Sequence, residues 1–304
     1  MESLPFDVAV VGHFSIDSIL LPNRPHAFMM MGGAVSYVSL VTRRLEGRVS
    51  IVSSVGADFP QAYMWWLEQE GIDLSSITKR ENEATTRFEI EYCYDLSTRT
   101  LKLKNKAPPI GLDELPRDLR AKAVHIAPIA GEISVEVAER LRHCTDILSF
   151  DPQGLLRRFD EMGNVTCHPL IDESLLDMID IYKSSVDELC TLTGQSNLKA
   201  GMKAIHDHGV KTVIATMGAK GAAVSVEKTV YNIPALESKK VVDPTGAGDA
   251  FIGGFLTEKV RAKDTLWSAC IGSAAASLVV EGLGPTCLGD KEEIYRRAEA
   301  IYEK

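Results

Sequence analysis

The sequence lacks any excess of positive charge. Its 304 residues include 33 lysines and arginines against 42 aspartates and glutamates, which gives a net charge of -9. Proteins that bind nucleic acid usually carry a basic surface, so we expect no nucleic-acid partner. A site for an anionic ligand must then be built locally, and the backbone N–H groups at the start of a helix are the usual means.

Paired cysteines and long apolar runs are also missing. The six cysteines include no C-x-x-C pair, which disfavours a structural zinc site and favours small buried thiols in a reducing compartment. No stretch approaches the roughly 18 consecutive apolar residues of a membrane span. The first residues lack the basic and apolar regions of a signal peptide. We therefore expect a cytoplasmic protein with no membrane partner.

Most of the chain alternates short apolar runs with segments of helical periodicity. This alternation predicts βαβ units and a parallel sheet. The predicted strands lie at 6–12, 49–55, 123–127, 146–150, 178–182 and 211–215, and helices are predicted at 135–141 and 198–206, among others.

The segment 85–104 departs from this rhythm. Apolar and polar residues alternate with period two, as in a strand with one buried face, and Leu101 and Leu103 alternate again after a turn. The pattern predicts a hairpin that pairs with 16–21. We expect a small antiparallel sheet that stands off the main body.

The segment with the clearest chemical content is 242–251, which reads V-D-P-T-G-A-G-D-A-F. Small residues let the backbone N–H groups converge, and the helix predicted to follow points its positive end at the same place. An anion should lie over Gly246, Ala247 and Gly248. A carboxylate such as that of Asp249 would normally be repelled by a neighbouring anion. Its position is explained if it accepts a proton from a nucleophilic hydroxyl while the amides stabilise a phosphoryl group in transfer. Alone, the pattern also fits a glycine turn with an aspartate cap.

Two other nucleotide motifs are absent. A dinucleotide G-x-G-x-x-G would require glycine where the chain has Phe251, and the segment lies far from the first strand. A P-loop, G-x-x-x-x-G-K-[ST], occurs nowhere in the sequence. A nicotinamide-dependent dehydrogenase would fit the alternation of strands and helices but lacks this fingerprint.

The string DPTGAGDAF resembles the C-terminal signature of ribokinase-family (PfkB) carbohydrate kinases, and the resemblance extends over essentially the whole chain. It implies an α/β, ribokinase-like fold with a mainly parallel sheet flanked by helices and a small β-sheet lid. Residues 1–304 would form a single kinase domain, with the lid at about 15–30 and 85–105. It also implies transfer of the terminal phosphate of ATP to a hydroxyl, with Asp249 as the base.

The same resemblance implies roles for residues elsewhere in the chain. Asp17, in the string GHFSID, takes the position of a substrate-binding aspartate, and Gly32 and Gly33 take that of a double glycine whose N–H groups approach the substrate. Glu188 takes the glutamate position of an N-x-x-E segment that organises Mg²⁺. Ser185 stands where the family has asparagine, which is a departure.

On the nucleotide side, the string TMGAKG resembles a T-x-G-x-x-G turn. The resemblance assigns Thr216, Gly218 and Gly221 to the nucleotide, and the alanines at 274–276 would let an adenine lie against their helix. Asp243 and Thr245 match positions that bind a monovalent cation, such as K⁺, in many family members.

The acceptor is a small molecule whose identity the sequence leaves open. The strings DPQGLLR, TTRFE and GGAVSY are similar to archaeal myo-inositol kinases. On that likeness Gln153 and Arg157 contact the substrate, and myo-inositol or a related sugar is the first expectation. A nucleoside kinase of the same fold is the alternative, with Phe14, Phe28 or Tyr37 stacking on the base. A non-catalytic nucleotide-binding or regulatory protein is the alternative from another class.

The lid also suggests how two copies would associate. Its alternating face carries four large apolar side chains, and an exposed apolar surface favours pairing. The sequence leaves the oligomeric state open. In the family that the chain resembles, apolar lid faces often pair into dimers, and a homodimer through the lid would be favoured if these side chains are exposed in the single chain: Phe88, Ile90, Tyr92 and Tyr94.

Overall fold

The computed structural model describes residues 4–22, 24–96, 98–169, 172–238 and 240–303. The strands are β1 (Phe6–Val11), β2 (Ser15–Leu20), β3 (Phe28–Gly32), β4 (Val49–Gly56), β5 (Asp73–Arg80), β6 (Thr86–Tyr92), β7 (Arg99–Asn105), β8 (Ala121–Ile126), β9 (Thr145–Phe150), β10 (Arg157–Phe159), β11 (Val165–Cys167), β12 (Ile181–Ser185), β13 (Thr212–Thr216), β14 (Ala222–Val226) and β15 (Thr229–Ile233). The helices are α1 (Ala34–Arg44), α2 (Gln61–Gln69), α3 (Val135–Arg142), α4 (Gln153–Leu156), α5 (Ser174–Met178), α6 (Val186–Thr193), α7 (Leu198–Asp207), α8 (Ala247–Lys259), α9 (Thr265–Val279) and α10 (Lys291–Tyr302).

The main sheet has nine strands in the order β15-β14-β13-β12-β9-β8-β1-β4-β5. Neighbouring strands run parallel from β13 to β5, and β14 and β15 add an antiparallel edge. The parallel sheet predicted from the sequence is confirmed. Because parallel strands end at the same edge, the loops after β1, β8, β9, β12 and β13 lie together there, which is where sheets of this kind bind ligands.

Helices cover both faces of the main sheet. In β1, Val8 and Val10 belong to one apolar cluster, and Ala9 and Val11 belong to the other, as expected because alternate side chains of a strand point to opposite faces. The first cluster includes buried residues of α1, α8, α9 and α10, and the second includes those of α3, α5, α6 and α7. The central strands are therefore covered on both faces, and in β1 the last four residues are all apolar and buried.

A second sheet, here called the lid sheet, has the order β3-β2-β6-β7. Its outer pairs are antiparallel, as predicted, whereas β2 and β6 at its centre run parallel. The predicted pairing of 16–21 with the hairpin is confirmed. The expectation that this sheet stands off the body is wrong, because Phe88, Ile90 and Tyr92 pack into the same apolar cluster as α1 and α8.

This packing also removes the support for a dimer through exposed lid residues. Of the four apolar side chains expected at the surface, only Tyr94 is exposed, at 83%. The other three are covered within the chain. Among the described residues, no helix combines the length and the apolar character needed to cross a bilayer.

Candidate active site

Residues 243–248, here called the anion loop, lead into α8. Gly246 is the residue before the helix and has φ 78° and ψ 0°, a left-handed conformation that favours glycine. A Cβ on Gly246 would lie 2.3 Å from the ring of Tyr37. No side chain caps α8. The N–H of Ala247 makes a long, 3.3 Å hydrogen bond to the carbonyl oxygen of Pro244, and the N–H groups of Gly248 and Asp249 remain available to an anion.

Asp249 lies in the first turn of α8 with its side chain 13% exposed. Burial raises the pKa of Asp249 to about 6, against the opposing effect of the Lys183 ammonium. The Nζ of Lys183 lies 3.9 Å from Oδ1 of Asp249. A carboxylate with a pKa near neutrality, beside free helix N–H groups, has the properties of a general base next to an anion.

Lys183 is a component of the site that the sequence reasoning did not single out. Its ammonium donates to Oδ2 of Asp151 at 2.6 Å, and both side chains are buried. A Cβ on Gly248 would lie 2.9 Å from this Nζ, so the glycine gives Lys183 room beneath the anion loop. Asp151 follows β9 and Lys183 lies in the adjacent β12. The sequence signal that could have identified this pair is a polar residue at the end of each of two neighbouring strands.

On the acceptor side, Asp17 lies in β2 and is 5% exposed. Burial raises the pKa of Asp17 to about 6. Its Oδ1 is buried without a hydrogen-bond partner among the described residues, so the carboxylate has an unused acceptor for a ligand hydroxyl. A Cβ on Gly32 would lie 2.0 Å from Oδ2 of Asp17, and one on Gly33 would lie 2.4 Å from the carbonyl oxygen of His13. The structure thus brings Gly32 to the carboxylate of Asp17 and Gly33 to the loop before β2.

Glu132 is a second residue that the sequence reasoning missed. It is fully buried, and its carboxylate accepts hydrogen bonds from the N–H groups of His13, Ile129 and Ala130 at 2.8–2.9 Å. The loop after β1, which leads to Asp17, is thereby tied to the loop after β8. No local pattern marks this role, because the bonded groups lie 119 residues apart in the case of His13.

Gln153 is the first residue of the short helix α4, and Arg157 directly follows the helix. The N–H of Gln153 donates to Oδ1 of Asp151 at 3.0 Å. The guanidinium of Arg157 donates to the carbonyl oxygen of Ile129 at 2.8 Å and lies 5.5 Å from the ring centroid of Phe88 in the lid sheet. Burial and then the nearby Arg99 lower the pKa of Arg157. Arg157 therefore lies between the lid sheet and the strand ends, as a substrate-binding role requires.

The residues assigned to the nucleotide lie at the end of β13. The hydroxyl of Thr216 donates to the carbonyl oxygen of Ser184 at 3.3 Å. Gly218 and Gly221 have φ of 57° and 88°, and a Cβ on Gly221 would lie 2.1 Å from the carbonyl oxygen of Ile233. Tight turn geometry thus explains both glycines. In α9, Ala274 and Ala275 are fully buried and are accounted for by close packing.

Glu188 and Ser185 form a capping box at the start of α6. Oε2 of Glu188 accepts the N–H and the hydroxyl of Ser185, each at 2.8 Å. The serine at this position is therefore a good helix cap. Oε1 takes no hydrogen bond from the described residues, which leaves one oxygen for Mg²⁺ or its waters. The described residues contain no cluster of three or more acidic, histidine or cysteine ligands, and Mg²⁺ needs only one or two carboxylates when phosphates supply the rest.

Asp243 is buried beside the anion loop. Its Oδ1 accepts the N–H of Thr245 at 2.9 Å and its Oδ2 accepts the N–H of Gly284 at 3.3 Å. No lysine or arginine of the described residues forms an ion pair with it. A buried carboxylate without a cationic partner fits a site for a monovalent cation. The hydroxyl of Thr245 is hydrogen-bonded to that of Tyr92, 2.8 Å away.

The three aromatic residues considered for base stacking are differently placed. Phe14 is fully buried, with its ring centroid 5.3 Å from that of Phe59. Tyr37 is buried with its ring against Gly246. Phe28 lies under the guanidinium of Arg24, at 5.7 Å. The rings of Phe14 and Tyr37 are thus already packed against other residues of the protein.

The nine-stranded sheet, the lid sheet over its strand ends and the uncapped α8 define an α/β protein of the ribokinase-like class. The sequence model of the "pfkB family carbohydrate kinase" matches residues 6–289, and the chain belongs to this family.

Relatives with assigned activities differ in acceptor. A nucleoside kinase of Methanothermobacter thermautotrophicus is 30% identical over 320 aligned positions, which cover 97% of this chain and 96% of that protein. An inositol 3-kinase of Arabidopsis thaliana is 28% identical over 286 positions, which cover 91% and 74%. The solved structure of a pyrophosphate-dependent kinase in the ribokinase family superposes with a TM-score of 0.81 at 23% identity, over 94% of this chain and 99% of that one. At this level of identity, the structural likeness is evidence for a shared fold.

Proposed function

We propose that the protein transfers the terminal phosphate of a nucleotide, ATP in the first instance, to a hydroxyl of a sugar, polyol or nucleoside. The observation that carries the proposal is the position of Asp249, whose pKa of about 6 places it between its two protonation states near neutral pH. It lies in the first turn of a helix whose N–H groups no side chain caps. The whole chain would act as one kinase domain, with the lid at about 15–30 and 85–105.

In this proposal Asp249 accepts the proton of the attacking hydroxyl. The N–H groups around Gly246, Ala247 and Gly248 stabilise the charge on the phosphoryl group. The acceptor is held by Asp17, Gly32, Gly33, Gln153 and Arg157, and the nucleotide by Thr216, Gly218 and Gly221.

Two cations complete the proposed site. Glu188 would hold Mg²⁺ or its waters through Oε1, and the metal supplies neutralisation of phosphate charge when bound. Asp243 and Thr245 would hold a monovalent cation such as K⁺. Because Asp243 also binds the N–H of Thr245, a cation there would support the conformation of the anion loop.

Two acceptor classes are supported by different observations. A polyol, with myo-inositol first, is favoured by the polar acceptor side, where Asp17 has an unused oxygen, and by the burial of Phe14 and Tyr37, which removes two stacking partners for a base. A nucleoside is favoured by the nucleoside kinase that aligns over 97% of this chain.

A panel assay separates these possibilities. Consumption of ATP with Mg²⁺ is measured against myo-inositol, ribose, fructose, fructose 6-phosphate, cytidine and adenosine, and the panel is repeated with pyrophosphate as donor. Asp249→Asn serves as the blank, because it keeps the shape and removes the base. Turnover of one acceptor class above the blank identifies the substrate. Activity of the blank equal to that of the native protein contradicts the role of Asp249, and nucleotide binding without any turnover favours a non-catalytic protein.

A further inference from the structure

A buried ammonium lies between two carboxylates beneath the anion loop. The Nζ of Lys183 is 2.6 Å from Oδ2 of Asp151 and 3.9 Å from Oδ1 of Asp249. The first distance is that of a charge-assisted hydrogen bond, whereas the second is too long for a hydrogen bond. Lys183 therefore forms a hydrogen-bonded ion pair with Asp151 and makes only an electrostatic contact with the candidate base.

The position of Asp151 is fixed by two contacts with the backbone. Its N–H donates to the carbonyl oxygen of Ile126, at the end of β8, at 3.0 Å. Its Oδ1 accepts the N–H of Gln153, also at 3.0 Å. Lys183, by contrast, carries its ammonium on a flexible chain of methylene groups. Asp151 is thus the fixed partner that determines where the ammonium lies.

The ammonium of Lys183 is a permanent charge. Burial opposes this charge, but the carboxylate of Asp151 and then that of Asp249 raise the pKa of Lys183 above its ordinary value. The fully buried imidazole of His125 in β8 responds to the same charge. Burial and then the Lys183 ammonium lower the pKa of His125 to about 3. The imidazole is therefore neutral near pH 7 and does not compete with Asp249 for a proton.

We propose that Asp151 and Lys183 are a positioning pair for the base. The ammonium orients the carboxylate of Asp249 in the first turn of α8, and Asp151 holds the ammonium back so that it does not bind the base directly. The inference rests on the proposed function. A carboxylate bound directly to a cation is a weaker base, and a buried one with no cation nearby stays protonated near neutral pH. Either extreme slows proton transfer from the attacking hydroxyl.

A purely structural pair makes different predictions. Asp151 follows β9 and Lys183 lies in β12, so their contact would serve only to join two neighbouring strand ends. Removal of either residue would then lower stability and leave the pH dependence of catalysis unchanged. If the pair acts on Asp249, the two removals change the pH dependence in opposite directions, because one removes a cation near the base and the other removes an anion.

The test measures kcat/KM against pH for the full-length protein, with the acceptor and donor found by the panel assay. Lys183→Met should move the acidic limb to higher pH by about one pH unit, and Asp151→Asn should move it to lower pH by about the same amount. The double variant should lie between them. Lys211→Met is the matched control and should keep the native profile, because Lys211 pairs with Asp180 at 2.8 Å at the other end of the same sheet, before β12 and β13.

The other charged and titratable groups near the base are the same in all these variants. Three further elements contribute groups that face Asp249, and these groups are Arg157 of β10, Arg99 of β7 and Tyr37 of α1. A change in the acidic limb therefore reports on the substituted pair.

Melting temperatures give a second measurement that does not depend on turnover. In the native protein Asp249→Asn should raise the melting temperature at pH 7.5, because it removes a buried charge. In the Asp151→Asn background the same substitution should lower it, because Asp249 is then the remaining ion-pair partner of the ammonium. In the Lys183→Met background the gain should exceed that in the native protein.

The outcomes separate this inference from the proposed function. A native acidic limb in Lys183→Met, in Asp151→Asn and in the double variant overturns the inference, as do changes in the same direction in both single variants. If such a result accompanies an inactive Asp249→Asn, the proposed function stands and the inference alone fails. An active Asp249→Asn overturns the proposed function instead.

Variants that fold poorly or turn over slowly do not prevent a decision. Urea unfolding of each variant establishes that the rates refer to folded protein. Lys183→Met leaves a buried carboxylate unpaired, and if it does not fold, Asp151→Asn and the double variant decide by the direction of the acidic limb. Where turnover is too slow for a profile, the melting temperatures decide, and a gain from Asp249→Asn that is equal in the native and Asp151→Asn backgrounds overturns the inference.

Discussion

The conservative substitution Asp249→Asn should make the protein more stable while it abolishes turnover. A base that is buried at the start of a helix is held in an environment that disfavours its charge, and the burial raises the pKa of Asp249 from 3.8 to about 6. Asparagine keeps the shape of the side chain and cannot ionise. The variant should therefore escape the cost of the buried charge, whereas Lys183 keeps its 2.6 Å contact with Asp151.

The size and the pH dependence of this gain follow from the raised pKa. Below about pH 4 the carboxyl group is protonated in both the folded and the unfolded chain, so the substitution should change little. Above about pH 6 the folded protein holds an ionised carboxylate that the unfolded chain tolerates better. At about 1.4 kcal/mol per pH unit, the free energy of unfolding of the variant should then be higher by up to about 3 kcal/mol.

Differential scanning calorimetry across this pH range measures the effect directly. For a chain of this size about 2 °C of melting temperature accompanies each kcal/mol, so the gain at pH 7.5 should reach about 6 °C. The exposed Asp118→Asn controls for the loss of one negative charge and should show no such trend. Equal melting temperatures for variant and native protein at pH 7.5, or the same gain at pH 4, would refute the reasoning.

The acid dependence of catalysis should reflect the raised pKa values of Asp249 and Asp17. We expect kcat/KM to decline below about pH 6 as these two groups become protonated. A steady-state profile that stays flat to about pH 5 would argue against both roles. Gly246→Ala should abolish turnover and lower the free energy of unfolding in urea by at least about 2 kcal/mol, because φ is 78° and the methyl group would meet the ring of Tyr37. Gly194→Ala is its control, since Gly194 has φ 65° and no atom within 4 Å of the added Cβ, and it should cost about 1 kcal/mol. Asp17→Asn should raise the KM for the acceptor about 10- to 100-fold and leave that for the nucleotide nearly unchanged; parallel changes in both constants would remove Asp17 from the acceptor site.

The buried strands of the main sheet were predictable because their apolar runs are continuous. The runs at 6–12 and 49–55 correspond to β1 and β4 within one residue at each end. The run at 178–182 was displaced, because Met178 ends α5 and the strand begins at Ile181. Apolar residues occur both at the end of the helix and at the start of the strand, so the pattern does not distinguish them. Met178 packs against one apolar cluster and Ile181 belongs to the other.

The elements that the pattern did not reveal depend on distant contacts. The hairpin β10–β11 has three-residue strands, and it packs on the lid sheet through the N–H of Leu103, which donates to the carbonyl oxygen of Gly163 at 2.8 Å. A Cβ on Gly163 would lie 2.1 Å from the oxygen of Leu103. This close approach joins residues 60 positions apart, and no local periodicity records it. The exposed lid face was mispredicted for a related reason, because two-sided patterning does not tell which surface a sheet covers.

The same limit applies to the electrostatics of the site. The sequence identified Asp249 from its motif, but its raised pKa comes first from burial, which Lys183 opposes and Asp151 reinforces. The parallel register pairs Tyr182 of β12 with Phe150 of β9. It therefore brings the residues that follow them, Lys183 and Asp151, side by side. Because Lys183 is 2.6 Å from Asp151 and 3.9 Å from Asp249, its charge is largely compensated by Asp151. Asp249 therefore keeps a raised pKa beside a buried ammonium, which a search for motifs cannot reveal.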